Sequence, residues 1–170
     1  TCGKMKTCTW SAETQGDFVV PTVGCKLGKD IRVSTVGPER ILSIHGGPSL
    51  PVVRSSYFDG ADLSLGPRRH FLVTTKNELH LSSLTLSGGR VGLTSSNGGH
   101  WGGSIAVYAG GLLYLTNVTI NGCGKDVACA FYGGALYVSG KAFIIGSTFV
   151  SNRASFSADG VLFVHSSGHV

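Results

Sequence analysis

Three stretches of the chain align with one another without a gap. They are LHLSSLTLSGG at 79–89, LYLTNVTINGC at 113–123 and AFIIGSTFVSN at 142–152. Their starts are 34 and then 29 residues apart, which is too irregular for leucine-rich or helical repeats but is natural for coils whose corners vary in length. This self-similarity indicates a fold built from repeated short elements.

A second series of short apolar segments accompanies these repeats: GGSIAVY at 102–108, GGALYVS at 133–139 and DGVLFVH at 159–165. Each repeat therefore has three short strands, in which alternate residues face opposite sides. The residues predicted to face inward are Ile105, Val107, Leu136, Val138, Leu162 and Val164 on the first strand, Leu79, Leu81, Leu113, Leu115, Ala142 and Ile144 on the second, and Leu84, Leu86, Val118, Ile120, Ser147 and Phe149 on the third. All three faces point at one axis.

The 26 glycines are about twice the usual share of roughly 7%, without a strict third-residue period. They are typical of tight turns between short strands. Ser83, Asn117 and Gly146 occupy the corner between the second and third strands, and these residue types accept the left-handed backbone that a sharp corner needs.

A single coil is not stable alone. Its six inward side chains contribute roughly 1.5–3 kcal/mol each, whereas ordering about 30 residues costs on the order of 1–2 kcal/mol apiece. Stacked coils share hydrogen bonds and bury each other's ends, so the pattern predicts an all-β parallel β-helix of about four to five coils. The segment 70–74 is predicted as the first strand of the Leu79 coil, and 31–35, 40–47 and 52–60 as strands of earlier coils.

The domain prediction divides the chain in two. Residues 1–30 form an N-terminal cap that contains disulfides and covers the open edge of the first coil, and residues 31–170 form the β-helix. The last segment ends on another first strand without a polar or helical cap. We therefore expect this end to continue into further coils or to stack on another chain.

The five cysteines lie at Cys2, Cys8, Cys25, Cys123 and Cys129, with no Cys-x-x-Cys pair and no histidines at zinc spacing. Disulfides in an oxidising compartment are therefore favoured over a metal. Cys123 and Cys129 bracket the loop GKDVA and are positioned to close it, whereas the three N-terminal cysteines leave one thiol over and their pairing open. The chain is predicted to be secreted, and to act outside the cell or at its surface.

Composition excludes several other classes of protein. Basic residues are scattered apart from Arg68 and Arg69, so no phosphate-tracking patch for nucleic acid is present. No apolar run approaches the 18 or more residues of a membrane-spanning helix. Because the residues from Thr1 onward show no positively charged n-region followed by an apolar h-region, we expect a mature chain or a segment of a longer one. No cofactor or metal is predicted.

The outward positions of the strands indicate binding. Ala106, Tyr137 and Phe163 are predicted to stack in one file beside Tyr108, Ser139 and His165. His80, Tyr114 and Phe143 are predicted to form a second file. Solvent-facing aromatic rings in register suit sugar faces or a protein partner. The alternative is that aromatic residues simply favour strands and that loops fold over them.

Two further outward features carry weaker hypotheses. Thr85, Thr119 and Thr148 form a third file, and a flat threonine array of this kind would match ordered water in an ice-binding protein. Asn117-Val118-Thr119 is a glycosylation sequon at a tight corner. Asn117 is therefore a candidate glycosylation site, unless its side chain bonds the backbone.

GGAL at 133–136 and FVSN at 149–152 resemble the paired repeats of the polymorphic outer-membrane protein family of autotransporters. LTLSGG, LTNVTI and GSTFVSN resemble the pectin lyase-like right-handed β-helix superfamily more broadly. The resemblance covers about residues 30–170 and implies a right-handed coil. It leaves function open, because that superfamily includes lyases, hydrolases, adhesins, tailspikes and structural repeats.

The superfamily's hydrolases are expected to present aspartates on neighbouring coils, but none of the nine carboxylates recurs at matching repeat positions. Asp59 and Asp62 fit a turn, and Arg153 with Asp159 is the nearest pair to a lyase site. The sequence therefore favours a non-enzymatic structural or adhesive module that binds polysaccharide or a protein through its exposed strands and open end. The alternative is a polysaccharide lyase or glycoside hydrolase whose catalytic groups lie outside this segment.

Overall fold

The structure is a computed structural model that describes residues 7–8, 16–27, 31–33, 39–55, 69–91, 101–122, 128–155 and 160–170. These residues form strands, turns and bridges and contain no helix. The strands are β1 (Gly16–Val19), β2 (Cys25–Lys26), β3 (Ile31–Val33), β4 (Arg40–His45), β5 (Val52–Arg54), β6 (Phe71–Val73), β7 (Asn77–Ser87), β8 (Ile105–Val107), β9 (Leu112–Asn121), β10 (Leu136–Val138), β11 (Lys141–Ile145), β12 (Thr148–Val150) and β13 (Leu162–Val164).

These strands form two sheets in which every pairing is parallel. The larger sheet contains β1, β2, β4, β5, β7, β9, β11 and β12, and the smaller has the order β13-β10-β8-β6-β3. From β3 onward the chain alternates between the smaller and the larger sheet, and each passage pairs with the previous one. The protein is therefore all-β, with a solenoid-like arrangement of parallel strands.

The predicted register between repeats is confirmed. Leu79 pairs with Leu113 and Leu113 with Ala142 on the larger sheet, while Ile105 pairs with Leu136 on the smaller one. All five side chains belong to one continuous core and are at most 2% exposed. The period-two alternation therefore identified the core face correctly.

Inward residues of the last strands are less buried than those of the central ones. Leu162 and Phe149 are partly buried, and Val164 is 42% exposed. Strands β12 and β13 each pair on one side only among the described residues. The core thus thins toward the C-terminal strands.

The predicted corner lies at the expected residues. Ser83, Asn117 and Gly146 have φ values of 52°, 55° and 59°. The structure differs from prediction in one respect, because β7 and β9 each run through the corner as a single bent strand. Pairing resumes immediately after it, so one left-handed residue turns the chain without interrupting the ladder.

The glycine pairs before β8 and β10 have a packing reason. Gly133 has a φ of 58°, and a Cβ atom there would overlap the carbonyl oxygen of Leu136. Gly102 has the same relationship to Ile105 one coil earlier. Only glycine fits both the left-handed backbone and this close approach.

The segment predicted as a cap contributes strands of its own. β1 pairs with β4 and β2 with β5, both in parallel register. A disulfide joins Cys8 to Cys25, and both sulfurs lie in the common core. Cys129 is also disulfide-bonded, whereas its predicted partner Cys123 lies outside the described residues, as does Cys2. Within the described ranges, we find no helix with the length and hydropathy needed to cross a membrane.

Candidate ligand-binding surface

His80, Tyr114 and Phe143, which we call the aromatic ladder, lie side by side on β7, β9 and β11. The ring centroids of Tyr114 and Phe143 are 4.9 Å apart with an interplanar angle of 11°, and the His80 ring lies 4.4 Å from that of Tyr114. These distances match the spacing of neighbouring strands, roughly 4.8 Å. Phe143 is 48% exposed and the other two rings are partly exposed, so the predicted register and exposure are both confirmed.

An acidic side chain holds the first ring of the ladder. The His80 Nε2 atom lies 2.9 Å from Glu78 Oε2, two residues earlier on the same face of β7. The side chains of both residues remain about one-third exposed. This contact restrains the imidazole beside Tyr114, so the ladder presents three ordered rings.

An open groove of about 480 Å³, the corner groove, lies beside the ladder. Its ionisable lining residues are Glu39, Lys76, Glu78, Lys141 and His169. It follows the corner between first and second strands across several coils, with a glycine-rich floor that includes positions 110, 111 and 140.

The ladder and the corner groove share an edge. Glu78, Leu112 and Lys141 line the groove and are adjacent to one another in the strand register. Each precedes a ladder ring by two residues and therefore shares its face. An elongated ligand lying along the coils would contact the aromatic rings on one side and charged side chains on the other.

The first-strand file differs from prediction. Ala106, Tyr137 and Phe163 are in the expected register, but Ala106 is fully buried and Tyr137 is 4% exposed. The expectation that this file faces solvent is therefore wrong for these two residues. Other aromatic side chains cover them. This agrees with the alternative interpretation, in which aromatic residues simply favour strands and other parts of the chain fold over them.

Tyr137 and the rings around it form an aromatic cluster, which consists of Trp101, Tyr108, Tyr132, Tyr137, Phe163 and His165. Tyr137 is at its centre, with ring centroids 4.7 Å from Trp101, 5.6 Å from Phe163 and 6.4 Å from Tyr108. Burial raises the pKa of the Tyr137 phenol, opposed by a hydrogen bond from the Ser139 hydroxyl. The phenol thus stays neutral and donates or accepts hydrogen bonds at physiological pH.

Sequence reasoning missed Trp101 and Tyr132, because neither lies within a predicted strand segment. The two residues form a parallel bridge with each other, and Tyr132 lies 4.9 Å from the ring of Phe163. A signal was present, because each immediately precedes the glycine pair of its repeat. The equivalence of the two glycine pairs implied that the residues before them are neighbours.

His165 belongs to a chain of polar groups at the margin of the cluster. Its Nδ1 atom lies 3.1 Å from the Ser167 hydroxyl, which is 3.0 Å from the Ser139 hydroxyl. Ser139 in turn bonds Tyr137. Exposed His165 and buried Tyr137 are thus connected through two serines.

The remaining predicted positions are accounted for as follows. Thr85, Thr119 and Thr148 lie in the predicted file, but only Thr148 is exposed and the other two are half-buried. The Asn117 side chain is exposed at its corner. Asp59, Asp62 and Asp159 lie outside the described residues, and among the described ones no group of three potential metal ligands converges.

Comparison of the chain with protein-family models, curated proteins and solved structures finds no significant match. The functional argument therefore depends on the geometry of these surfaces alone.

Proposed function

We propose that this chain is part of an extracellular, non-enzymatic right-handed parallel β-helix that binds polysaccharide along the aromatic ladder. The observation that supports binding most strongly is the stacking of His80, Tyr114 and Phe143 in one exposed file. The Cys8–Cys25 disulfide is compatible with an extracellular location. The alternating parallel strands agree with coils of a β-helix.

The chemistry of the ladder matches a sugar chain. Aromatic faces pack against the C–H groups of sugar rings, while charged and hydroxyl groups satisfy the ring substituents. The ladder supplies the faces, and the adjoining Glu78 and Lys141 supply polar groups. Because the rings repeat at the strand spacing, an extended chain contacts several at once, whereas a compact ligand contacts one.

Affinity electrophoresis of the native chain in gels containing xylan, β-glucan, starch or pectate tests this proposal. Retardation by at least one polysaccharide is expected. Tyr114→Ala and Phe143→Ala are each expected to weaken binding roughly three- to tenfold, because each removes a stacked ring.

Val150→Ala provides the matched control. Val150 is 44% exposed, close to the value for Phe143, but lies on β12 beyond the corner. This variant is expected to bind as the wild type does. Equal weakening by Val150→Ala and Phe143→Ala, or no retardation by any polysaccharide, would contradict the proposal, and the latter would favour a protein partner.

A second candidate function is glycoside hydrolysis in the corner groove. Glu39 and Glu78 both line it, although they do not occupy matching repeat positions. A pair of carboxylates acting as acid and as base or nucleophile is the usual requirement of glycosidases. Release of reducing ends that is abolished by both Glu39→Gln and Glu78→Gln would establish hydrolysis, whereas binding without release would leave the non-enzymatic proposal standing.

A further inference from the structure

We propose that a pocket beside Trp101 is a second sugar-binding subsite, specific for a neutral sugar ring. This inference depends on the proposed function, because it adds a subsite to the same polysaccharide-binding surface. The pocket, which we call the aromatic pocket, has a volume of about 430 Å³ and is lined by Thr75, Trp101, Tyr108, Ala109, Tyr137 and Ser139.

The aromatic pocket has ring surfaces in two orientations. Trp101 lies nearly parallel to Tyr137, with 24° between their planes, whereas the plane of Tyr108 is at 88° to that of Tyr137. Trp101 and Tyr108 are partly exposed, while Tyr137 is buried between its neighbours. The accessible surfaces therefore belong to Trp101 and Tyr108, which form an apolar corner rather than a flat strip.

The backbone around Trp101 is held in place on both sides. The Arg69 guanidinium donates a hydrogen bond to the Trp101 carbonyl at 3.0 Å, and Trp101 bridges to Tyr132 on the next coil. Arg69 is itself 7% exposed. A preorganised indole loses little conformational entropy on binding, which favours ligand affinity.

The polar groups of the aromatic pocket are neutral. Thr75 and Ser139 contribute hydroxyl groups, Ala109 lies between them, and no charged side chain lines the pocket. The Thr75 hydroxyl donates to the Ala109 carbonyl at 2.8 Å and retains its lone pairs for a ligand hydroxyl. Apolar faces combined with neutral hydrogen-bonding groups match a sugar ring without a carboxylate or sulfate.

The aromatic pocket is continuous with the surface already described. Ala109 and Ser139 line both this pocket and the corner groove. A polysaccharide that lies in the corner groove therefore reaches the aromatic pocket without leaving the protein surface. The two sites differ in chemistry, because only the groove is lined by charged residues.

Trp101 is one of only two tryptophans, which allows the pocket to be observed directly. In a Trp10→Phe variant all tryptophan emission arises from Trp101. Titration of this variant with cellohexaose, xylohexaose, maltohexaose and hexagalacturonate is followed by fluorescence and, in parallel, by calorimetry. At least one neutral hexasaccharide is expected to change the emission with the dissociation constant that calorimetry gives.

Three substitutions test the contacts while keeping an aromatic ring over Tyr137. Thr75→Val is expected to weaken binding of that hexasaccharide roughly three- to tenfold, and Thr75→Ser is expected to restore it because the hydroxyl returns. Trp101→Phe keeps an apolar ring over Tyr137 but reduces the stacking surface, and we expect a similar loss.

The possible results separate this inference from the proposed function. Binding by calorimetry with unchanged Trp101 emission and wild-type affinity in Thr75→Val and Trp101→Phe overturns the subsite only. An emission response to hexagalacturonate alone overturns its neutral specificity. An emission response that Tyr114→Ala and Phe143→Ala leave unaffected supports the subsite and overturns polysaccharide binding along the aromatic ladder. If no saccharide binds, both the subsite and the proposed function are overturned.

Discussion

The His70 imidazole donates a hydrogen bond from Nε2 to the carbonyl oxygen of Ser87 at 3.1 Å, in the interior of the protein. A carbonyl can only accept, so Nε2 carries the proton and Nδ1 is the unprotonated nitrogen. Nδ1 has no hydrogen-bond partner, and neither has the buried hydroxyl of Ser104. Burial lowers the pKa of His70 from 6.5 to about 4.

This lowered pKa predicts that acid destabilises the protein through His70. Between pH 6.5 and 4 the unfolded chain binds a proton at this position and the folded chain does not, so stability falls as pH decreases. The loss over that window is about 3 kcal/mol. Urea unfolding at a series of pH values measures it.

The contribution of His70 is isolated by difference. The His70→Gln variant lacks the titrating imidazole, so its unfolding free energy should not fall for this reason between pH 6.5 and 4. The difference in unfolding free energy between wild type and variant should therefore narrow as the pH falls to 4. His165→Gln serves as the control, since His165 is exposed. A gap that stays constant from pH 6.5 to 4 would show that His70 is not the titrating group.

Gly133→Ala is predicted to destabilise the fold by about 2 kcal/mol or more. Alanine at this position would have to adopt a left-handed backbone conformation, and its methyl group would overlap the Leu136 carbonyl oxygen. Gly160→Ala is the matched control, because a Cβ there meets nothing within 4 Å. Thermal unfolding of both variants checks the prediction, and equal melting temperatures would contradict it.

Removal of the Cys8–Cys25 disulfide is predicted to cost about 3 kcal/mol, because the bond closes a loop with a sequence separation of 17. The Cys8→Ala/Cys25→Ala double variant should unfold at lower urea concentration than the wild type under non-reducing conditions. Under reducing conditions the difference between the two proteins should shrink. An unchanged difference would mean that the lost side chains, rather than the bond, account for the effect.

Asn117 is predicted to be glycosylated when the chain is secreted from eukaryotic cells, because its side chain is exposed within a sequon. Mass spectrometry before and after enzymatic deglycosylation measures occupancy. Asn117→Gly removes the acceptor while accommodating the φ of 55° at this corner. An identical mass for the wild type and its deglycosylated form would show that the tight corner prevents modification.

Much of the strand arrangement could be predicted from the sequence. Alternation within the repeats identified Leu79, Leu113 and Ala142 as one inward file, and their alignment implied the register that the structure shows. The corner at Ser83 and Asn117 followed from residue types that accept a left-handed backbone. The inward faces and the corner depend on local geometry, which each repeat encodes. The register follows from aligning equivalent positions of successive repeats.

The candidate site could be predicted only in part. Tyr114 and Tyr137 occupy equivalent outward positions on different strands, yet Tyr114 is partly exposed and Tyr137 is covered. The difference depends on whether another side chain folds over the strand, as Trp101 does over Tyr137. The pattern of residues within the strands does not specify which other segment of the chain packs over them.

By itself, the sequence determined that this chain forms parallel strands with one shared core, which strand faces point inward, and which residues stack across coils. Only the tertiary structure decided that Cys8 bonds Cys25, that Glu39 and Glu78 line one groove, and that Trp101 creates a pocket. The physical reason is that repeat positions specify register along the coils. The connections between strands differ in length and composition, and their packing depends on contacts between residues far apart in the chain.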